Sequence, residues 1–280
     1  MRTRHPYSIL HLHSEGAAAI TYTSKPDGEL ETQFFFYQSP KSTGSLEMAL
    51  KRFFEDSKKE RIYINVVSDA PTLTTFKDTT LLREPEAFAQ GLEANIGIAE
   101  RDCDVQFLEA QSGTPYQGNG PLLVNCFKRS DFLRAQAFSS ELGFEKFELF
   151  NNTLSILGAL NDWRIEFGSK ETASIIEVGT TASTVTLSFP DGQIVSNNVP
   201  VSIQDLAEGI QKKLLLKFDS TALLLFYNGV FDFTQYKEVI SATFSDKLNP
   251  YLQSLAGKYG EDIDRLLISS LPPSYGWINE

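Results

Sequence analysis

One stretch, Ser174 to Leu215, constrains the fold more than any other part of the chain: SIIEVGTTASTVTLSFPDGQIVSNNVPVSIQDLAEGIQKKLL. The apolar run Ile175-Ile176-Glu177-Val178 meets Gly179-Thr180-Thr181. From Thr184 to Phe189, β-branched and aromatic residues then suit a pleated surface. Asp191-Gly192 separates this second strand from a third, Gln193 to Val199, as a two-residue hairpin turn would. Beyond Pro200, Ser202-Ile203-Gln204-Asp205 has the spacing of a capping box with Asp at its fourth position. Ile203, Leu206, Ala207, Ile210 and Leu214 then recur at helical spacing. Strand, turn, strand, hairpin, strand and helix in that order predict an α/β unit. A loop of this kind can wrap an anion, and it is equally an ordinary piece of scaffold.

At 280 residues, 41% of them hydrophobic, the chain is long enough for two lobes and too apolar for a disordered protein. A formal net charge of −11, with no basic cluster longer than Lys58-Lys59-Glu60-Arg61, argues against nucleic acid as a partner, because phosphate binding needs a basic footprint. Cys103 and Cys126 stand in no metal or redox spacing, which predicts a reduced, cytoplasmic setting; a disulfide between them stays open. The N-terminus lacks the apolar core of a signal peptide, and no run approaches the roughly 18 apolar residues of a membrane span. The tail after Leu267 to Leu271 reads as a trimmed end of the second lobe.

Three strands open the chain: Ser8 to Leu12, Ala17 to Thr23 and, after Pro26-Asp27-Gly28, Glu31 to Tyr37. Ser45 is placed to cap a helix carrying Leu46, Ala49, Leu50, Phe53 and Phe54, and Arg61 to Val67 reads as a buried strand. Pro85 suits the first turn of a helix with Phe88, Ala89, Leu92 and Ile96 on one side. Val105 to Ala110 and Leu122 to Phe127 are strands, Ser130 to Leu142 a helix stopped by Gly143, Phe144 to Leu149 a strand, and Asn151 to Trp163 a helix. Gly168 to Thr172 reads as the passage between lobes. A strand at Thr221 to Tyr227, a helix from Thr234 to Lys258 broken or bent at Asn249-Pro250, and a strand at Arg265 to Ser269 complete the second lobe. The two halves look like distant repeats.

This order resembles the actin-like ATPase superfamily, and within it the bacterial PilM and FtsA type of pilus-assembly and cell-division proteins. Ile176 to Thr184 is similar to that family's second phosphate loop, and Asp191 to Ile194 with Val199 to Ile203 to its hairpin and the start of its helix. The resemblance implies a two-lobed actin-like α/β fold built on a ribonuclease H-like repeat, with an inserted side subdomain in the first lobe. Its divisions would be 1–168 for the first lobe, including an insertion at about 44–127, and 169–280 for the second. It also implies ATP with magnesium, for which Glu177, Gly179, Thr180, Thr181 and Thr184 are the candidate residues.

Departures from the family pattern weaken that chemistry. The counterpart of the first phosphate loop is His11-Leu12-His13-Ser14, which lacks the carboxylate and the glycine. Glu177 replaces the family's Asp, and Ser269-Ser270-Leu271-Pro272-Pro273 has no adenosine-binding Gly-Gly. The expectation is therefore a non-catalytic, cytoplasmic actin-like scaffold with no cofactor, serving an envelope machine such as a type IV pilus or type II secretion system. Its partner would be a protein, the cytoplasmic segment of an inner-membrane assembly component, which would hold it at the membrane without a span of its own; a homo-oligomer is compatible. An ATPase using Glu177 and the three threonines is the alternative, and a small-molecule kinase of the same superfamily a third reading. His11 and His13 share one face of a strand and could pair on a metal, yet no Cys stands near them and the third histidine, His5, is not adjacent in the pattern, so two surface or core histidines are the expectation. The aromatic runs Phe34 to Tyr37 and Phe231 to Phe233 suit core packing as well as a partner.

Overall fold

The computed structural model describes residues 7–13, 16–24, 30–38, 43–57, 59–68, 70–118, 121–179, 181–199, 201–218, 221–223, 225, 231–260 and 262–269. The chain divides into two compact units, one formed by 1–67 with 130–151 and the other by 68–129 with 152–280. Gly168 to Thr172 thus lies inside the second unit, and the segment 44–127 is shared between the two.

The first unit is a five-stranded sheet in the order β3-β2-β1-β4-β8, made of β1 (Tyr7–His13), β2 (Gly16–Ser24), β3 (Leu30–Gln38), β4 (Ile62–Val66) and β8 (Phe147–Asn151). The first three strands form an antiparallel meander, whereas β4 runs parallel to β1 and β8 parallel to β4. Parallel neighbours need crossovers. Helix α1 (Thr43–Phe53) lies between β3 and β4, and α3 (Arg129–Glu141) precedes β8. Leu10 and Leu12 of β1 and Ile62, Ile64 and Val66 of β4 recur with period two and pack with Leu46, Leu50, Ala135 and Phe138 of the two helices. Phe54 meets Phe144 edge-on at 5.5 Å, with Lys59 Nζ 4.7 Å from the Phe144 ring.

The second unit repeats the pattern. Strands β9 (Ala173–Glu177), β10 (Ser183–Ser188) and β11 (Ile194–Val199) form a meander, and β12 (Arg265–Ser269) returns parallel to β9. Its sheet has seven strands, β12-β9-β10-β11-β5-β7-β6, because the segment 68–129 adds β5 (Leu73–Phe76), β7 (Leu122–Lys128) and β6 (Cys103–Glu109) beyond β11. At the seam, Val195 pairs with Thr74, and the Thr75 hydroxyl donates to the Ile194 carbonyl at 3.0 Å. Alternate residues of β9 face opposite layers. Ile175 packs with Leu157 and Leu160 of α4 (Asn152–Phe167), and Ile176 with Ile203, Leu206 and Ile210 of α5 (Ile203–Leu214) and Ile240 and Phe244 of α6 (Lys237–Tyr259). A strand covered on both faces needs no polar side, which is why every residue of β9 is buried. Helix α2 (Pro85–Ile96), opened by Pro85 and closed by the left-handed Gly97, places Phe88, Leu92 and Ile96 against Val124 and Cys126.

Several local expectations are corrected. Helices α1 and α3 begin at Thr43 and Arg129, so Ser45 and Ser130 sit inside them rather than capping them. The β10–β11 hairpin has a three-residue loop instead of a two-residue one. Phe189 N–H donates to the Gln193 carbonyl and Gly192 N–H to the Phe189 carbonyl, with Gly192 at φ 86°. Pro190 suits the turn's second position, and glycine suits the left-handed residue that ends it. Where a strand is expected at 221–227, residues 221–223 and 225 are helical, and 224, 226 and 227 lie outside the described residues. Helix α6 runs unbroken through Pro250. The turns at 25–29 and 39–42 also lie outside the described residues.

Candidate functional site

Glu177 ends β9 and is 3% exposed, and it stands opposite Thr184, also 3% exposed, in the antiparallel register. Asn152, at the start of α4, donates its amide to Glu177 Oε1 at 2.8 Å and to Ser269 Oγ of β12 at 3.1 Å. Burial drives the Glu177 carboxyl up to about 7 although the Asn152 amide pulls the other way, so at neutral pH a large fraction of it is uncharged. Asn152, Glu177 and Ser269, from three elements distant in sequence, thus form one small polar cluster.

The loop after Glu177 closes on itself. Gly179 N–H donates to the Ser183 hydroxyl at 3.2 Å, and its carbonyl accepts from Ile203 N–H, the first residue of α5, at 3.0 Å. Val178 N–H donates to the Ser269 carbonyl at 3.1 Å. The approach of the loop's two ends requires glycine, since a Cβ at position 179 would lie 2.0 Å from the Ala182 carbonyl oxygen. Ser202 caps α5 by accepting from Asp205 N–H at 3.3 Å, while its own hydroxyl donates to Asp205 Oδ2 at 2.8 Å. Lys247 of α6 pairs with the same Asp205 carboxylate, which is held below its usual range by the Lys247 and Ser202 hydrogen bonds despite partial burial.

Of the five candidate residues, Glu177, Gly179 and Thr184 come together in this corner, Thr181 is exposed, and Thr180 lies outside the described residues. A cradle for phosphate needs backbone N–H groups turned outward and a charged carboxylate for the hydration shell of magnesium. Here the Gly179 N–H is spent on Ser183, and the carboxyl is buried and held by Asn152, so the described residues of this loop do not fit Mg-ATP. Asn152, Ser183 and Ser269 were not legible as a group in the sequence, because no local spacing links them to Glu177. The Asn151-Asn152-Thr153 triplet, a glycosylation pattern on paper, is buried throughout.

In the first unit, His11 on β1 lies beside Asn65 on β4, whose amide nitrogen is 3.2 Å from His11 Nδ1. Burial pushes the imidazole down to about 4, so it is neutral at physiological pH. The side chain of His13 and residue Ser14 lie outside the described set, and among the described residues no cluster of His, Cys, Asp and Glu is arranged to hold a metal. At the opposite end of β10 from Thr184, a cavity of about 420 Å³ is lined by residues that include Asn161, Arg164, Lys170, Ser188 and Gly192, and by none of the five candidates. There the Arg164 guanidinium donates to the Ser188 hydroxyl and carbonyl, both at 2.8 Å, which clamps the end of β10 to α4. Among the described residues no helix is long and apolar enough to cross a membrane.

Two units, each with a meander followed by a parallel return strand, have the fold of the actin-like ATPase superfamily. No known family profile matches the sequence, and no curated protein matches it. Among solved structures, the chain is similar to a PilM-PilN type IV pilus biogenesis complex at 13% identity and a TM-score of 0.64, over 95% of this chain and 82% of that one. Weaker likenesses are the ethanolamine utilization protein EutJ of Carboxydothermus hydrogenoformans (9% identity, TM-score 0.47, 96% of this chain and 86% of that one) and the cytoplasmic domain of EpsL, an inner-membrane component of the type II secretion system of Vibrio cholerae (13%, 0.44, 77% and 76%).

Proposed function

We propose that this chain is a non-catalytic actin-like scaffold that works at the cytoplasmic side of an envelope machine of the type IV pilus or type II secretion kind. In this role it docks on the cytoplasmic segment of an inner-membrane assembly protein. The observation that carries the non-catalytic part is the self-closed loop from Glu177 to Ser183: its glycine N–H is spent internally and its carboxyl is buried against Asn152. The likeness of the whole chain to the PilM-PilN complex supports the setting, by analogy of fold. A scaffold needs rigid units and specific surfaces, and the closed arrangement of the described loop residues is compatible with both.

The docking half is tested with the cytoplasmic segment of a membrane-anchored protein encoded beside this gene. Titrated into the full chain, that segment is expected to bind with a Kd on the order of micromolar, and equally well with or without Mg-ATP. No binding at hundreds of micromolar, or sugar-metabolism genes in place of envelope components, would contradict the docking role.

A further inference from the structure

Helix α5 ends in a feature that its packing does not explain. Leu215, its C-cap residue, adopts the left-handed conformation (φ 53°, ψ 38°), the only described non-glycine residue to do so. Glycine is the usual occupant of such a position, because a Cβ is strained there. Leucine accepts that strain for no burial, since its side chain is 89% exposed. The backbone around it is tied down: Leu215 and Leu216 N–H both donate to the Gln211 carbonyl, and the Gln211 side-chain amide donates to the Leu216 carbonyl at 3.2 Å. Leu214 and Leu216 turn inward against the core of the second unit, so Leu215 is held outward between them.

The residues exposed beside it are cationic or aromatic. Lys212, Lys213 and Lys217 are exposed, as is Phe218 at 58%, and Lys217 Nζ lies 5.2 Å from the Phe218 ring centre. Between Glu208 and Asp219 there is no acidic residue, although the chain as a whole carries −11. An acidic protein is repelled by an anionic surface unless a local basic patch meets it, and this tip is such a patch.

We infer that the tip formed by residues 212–218 is a contact site for an anionic lipid surface. Leu215 and Phe218 enter the boundary between headgroups and acyl chains, while the three lysines stay at headgroup level with their stems along the apolar side chains. Two exposed apolar side chains within a short lysine-rich segment match a bilayer interface better than a protein groove, which needs a complementary knob and pocket. Membrane proximity then comes in part from the chain itself. This inference does not rest on the scaffold reading, because lipid binding is read without nucleotide or partner.

Co-sedimentation of the full chain with vesicles tests it. Binding to vesicles of equal parts phosphatidylcholine and phosphatidylglycerol is expected, with little on phosphatidylcholine alone, and most of it is lost in about 0.5 M salt. Exchanging Lys212, Lys213 and Lys217 together for Glu should weaken binding more than about tenfold. Leu215→Gly should weaken it about fivefold or more while leaving the melting temperature equal to or above that of the parent, an outcome that loss of folding cannot produce. Equal affinity for both vesicle types, or a triple variant that binds like the parent, would overturn the inference.

Discussion

Gly179→Ala is expected to destabilise the second unit by about 3 kcal/mol, the upper range for forcing atoms into a packed site. The added Cβ would meet the Ala182 carbonyl oxygen at 2.0 Å, and that atom belongs to the backbone, so no side-chain rotation relieves the clash. The loop must open, and opening it disturbs both the Gly179 to Ser183 bond and the bond from Ile203 that seats the start of α5. Urea unfolding followed by far-ultraviolet circular dichroism measures the loss. Gly158→Ala in α4 is the matched control: nothing lies within 4 Å of the new Cβ there, and the helix should gain up to about 1 kcal/mol. A Gly179→Ala protein as stable as the parent would mean that the loop is not closed in this way.

The second large effect is a pH dependence centred on Glu177. Its carboxyl rises from an ordinary value near 4.5 in the unfolded chain to about 7 in the fold, chiefly through burial. The fold therefore holds a proton that the unfolded chain releases between those values. The stability associated with the neutral carboxyl is fully present below about pH 4.5, falls as pH rises toward 7, and stays lost above it. The whole difference is about 3 kcal/mol at most. Glu177→Gln keeps an oxygen for the Asn152 amide and cannot ionise. It should match the parent near pH 4.5 and exceed it by up to about 3 kcal/mol at pH 8. Taking the difference between the two proteins at each pH removes the background from other carboxylates. A difference that is flat with pH would show that Glu177 is charged or solvated in the fold.

Glu177 and Gly179 also show how far the sequence could be read. The two meanders, the Pro85 helix, the Ser202 cap and the return strand at Arg265 are local patterns: alternation, helical spacing and capping residues within a few positions of one another. The misreadings have local causes too. Ala222 to Tyr227 is a short apolar run whose periodicity suits a strand or a helix equally, and residues 221–223 and 225 are helical. Strand β5 is four residues long, and its Thr75 finds its partner Ile194 119 positions away, a pairing no window could reveal. The site was half legible for the same reason. Glu177 and Gly179 stood out as a phosphate-loop resemblance, whereas Asn152 and Ser183, whose hydrogen bonds tie up the carboxyl and the glycine N–H, and Ser269, which accepts from the Asn152 amide and the Val178 N–H, became visible only once α4, β10 and β12 met.

Those hydrogen bonds carry the functional assignment, and nucleotide binding is where it meets its most direct test. Titrating the full chain with Mg-ATP by isothermal calorimetry, the expected result is no binding heat up to about 1 mM nucleotide, a Kd too weak for a resident cofactor. Saturable binding with a Kd on the order of micromolar would contradict a non-catalytic scaffold.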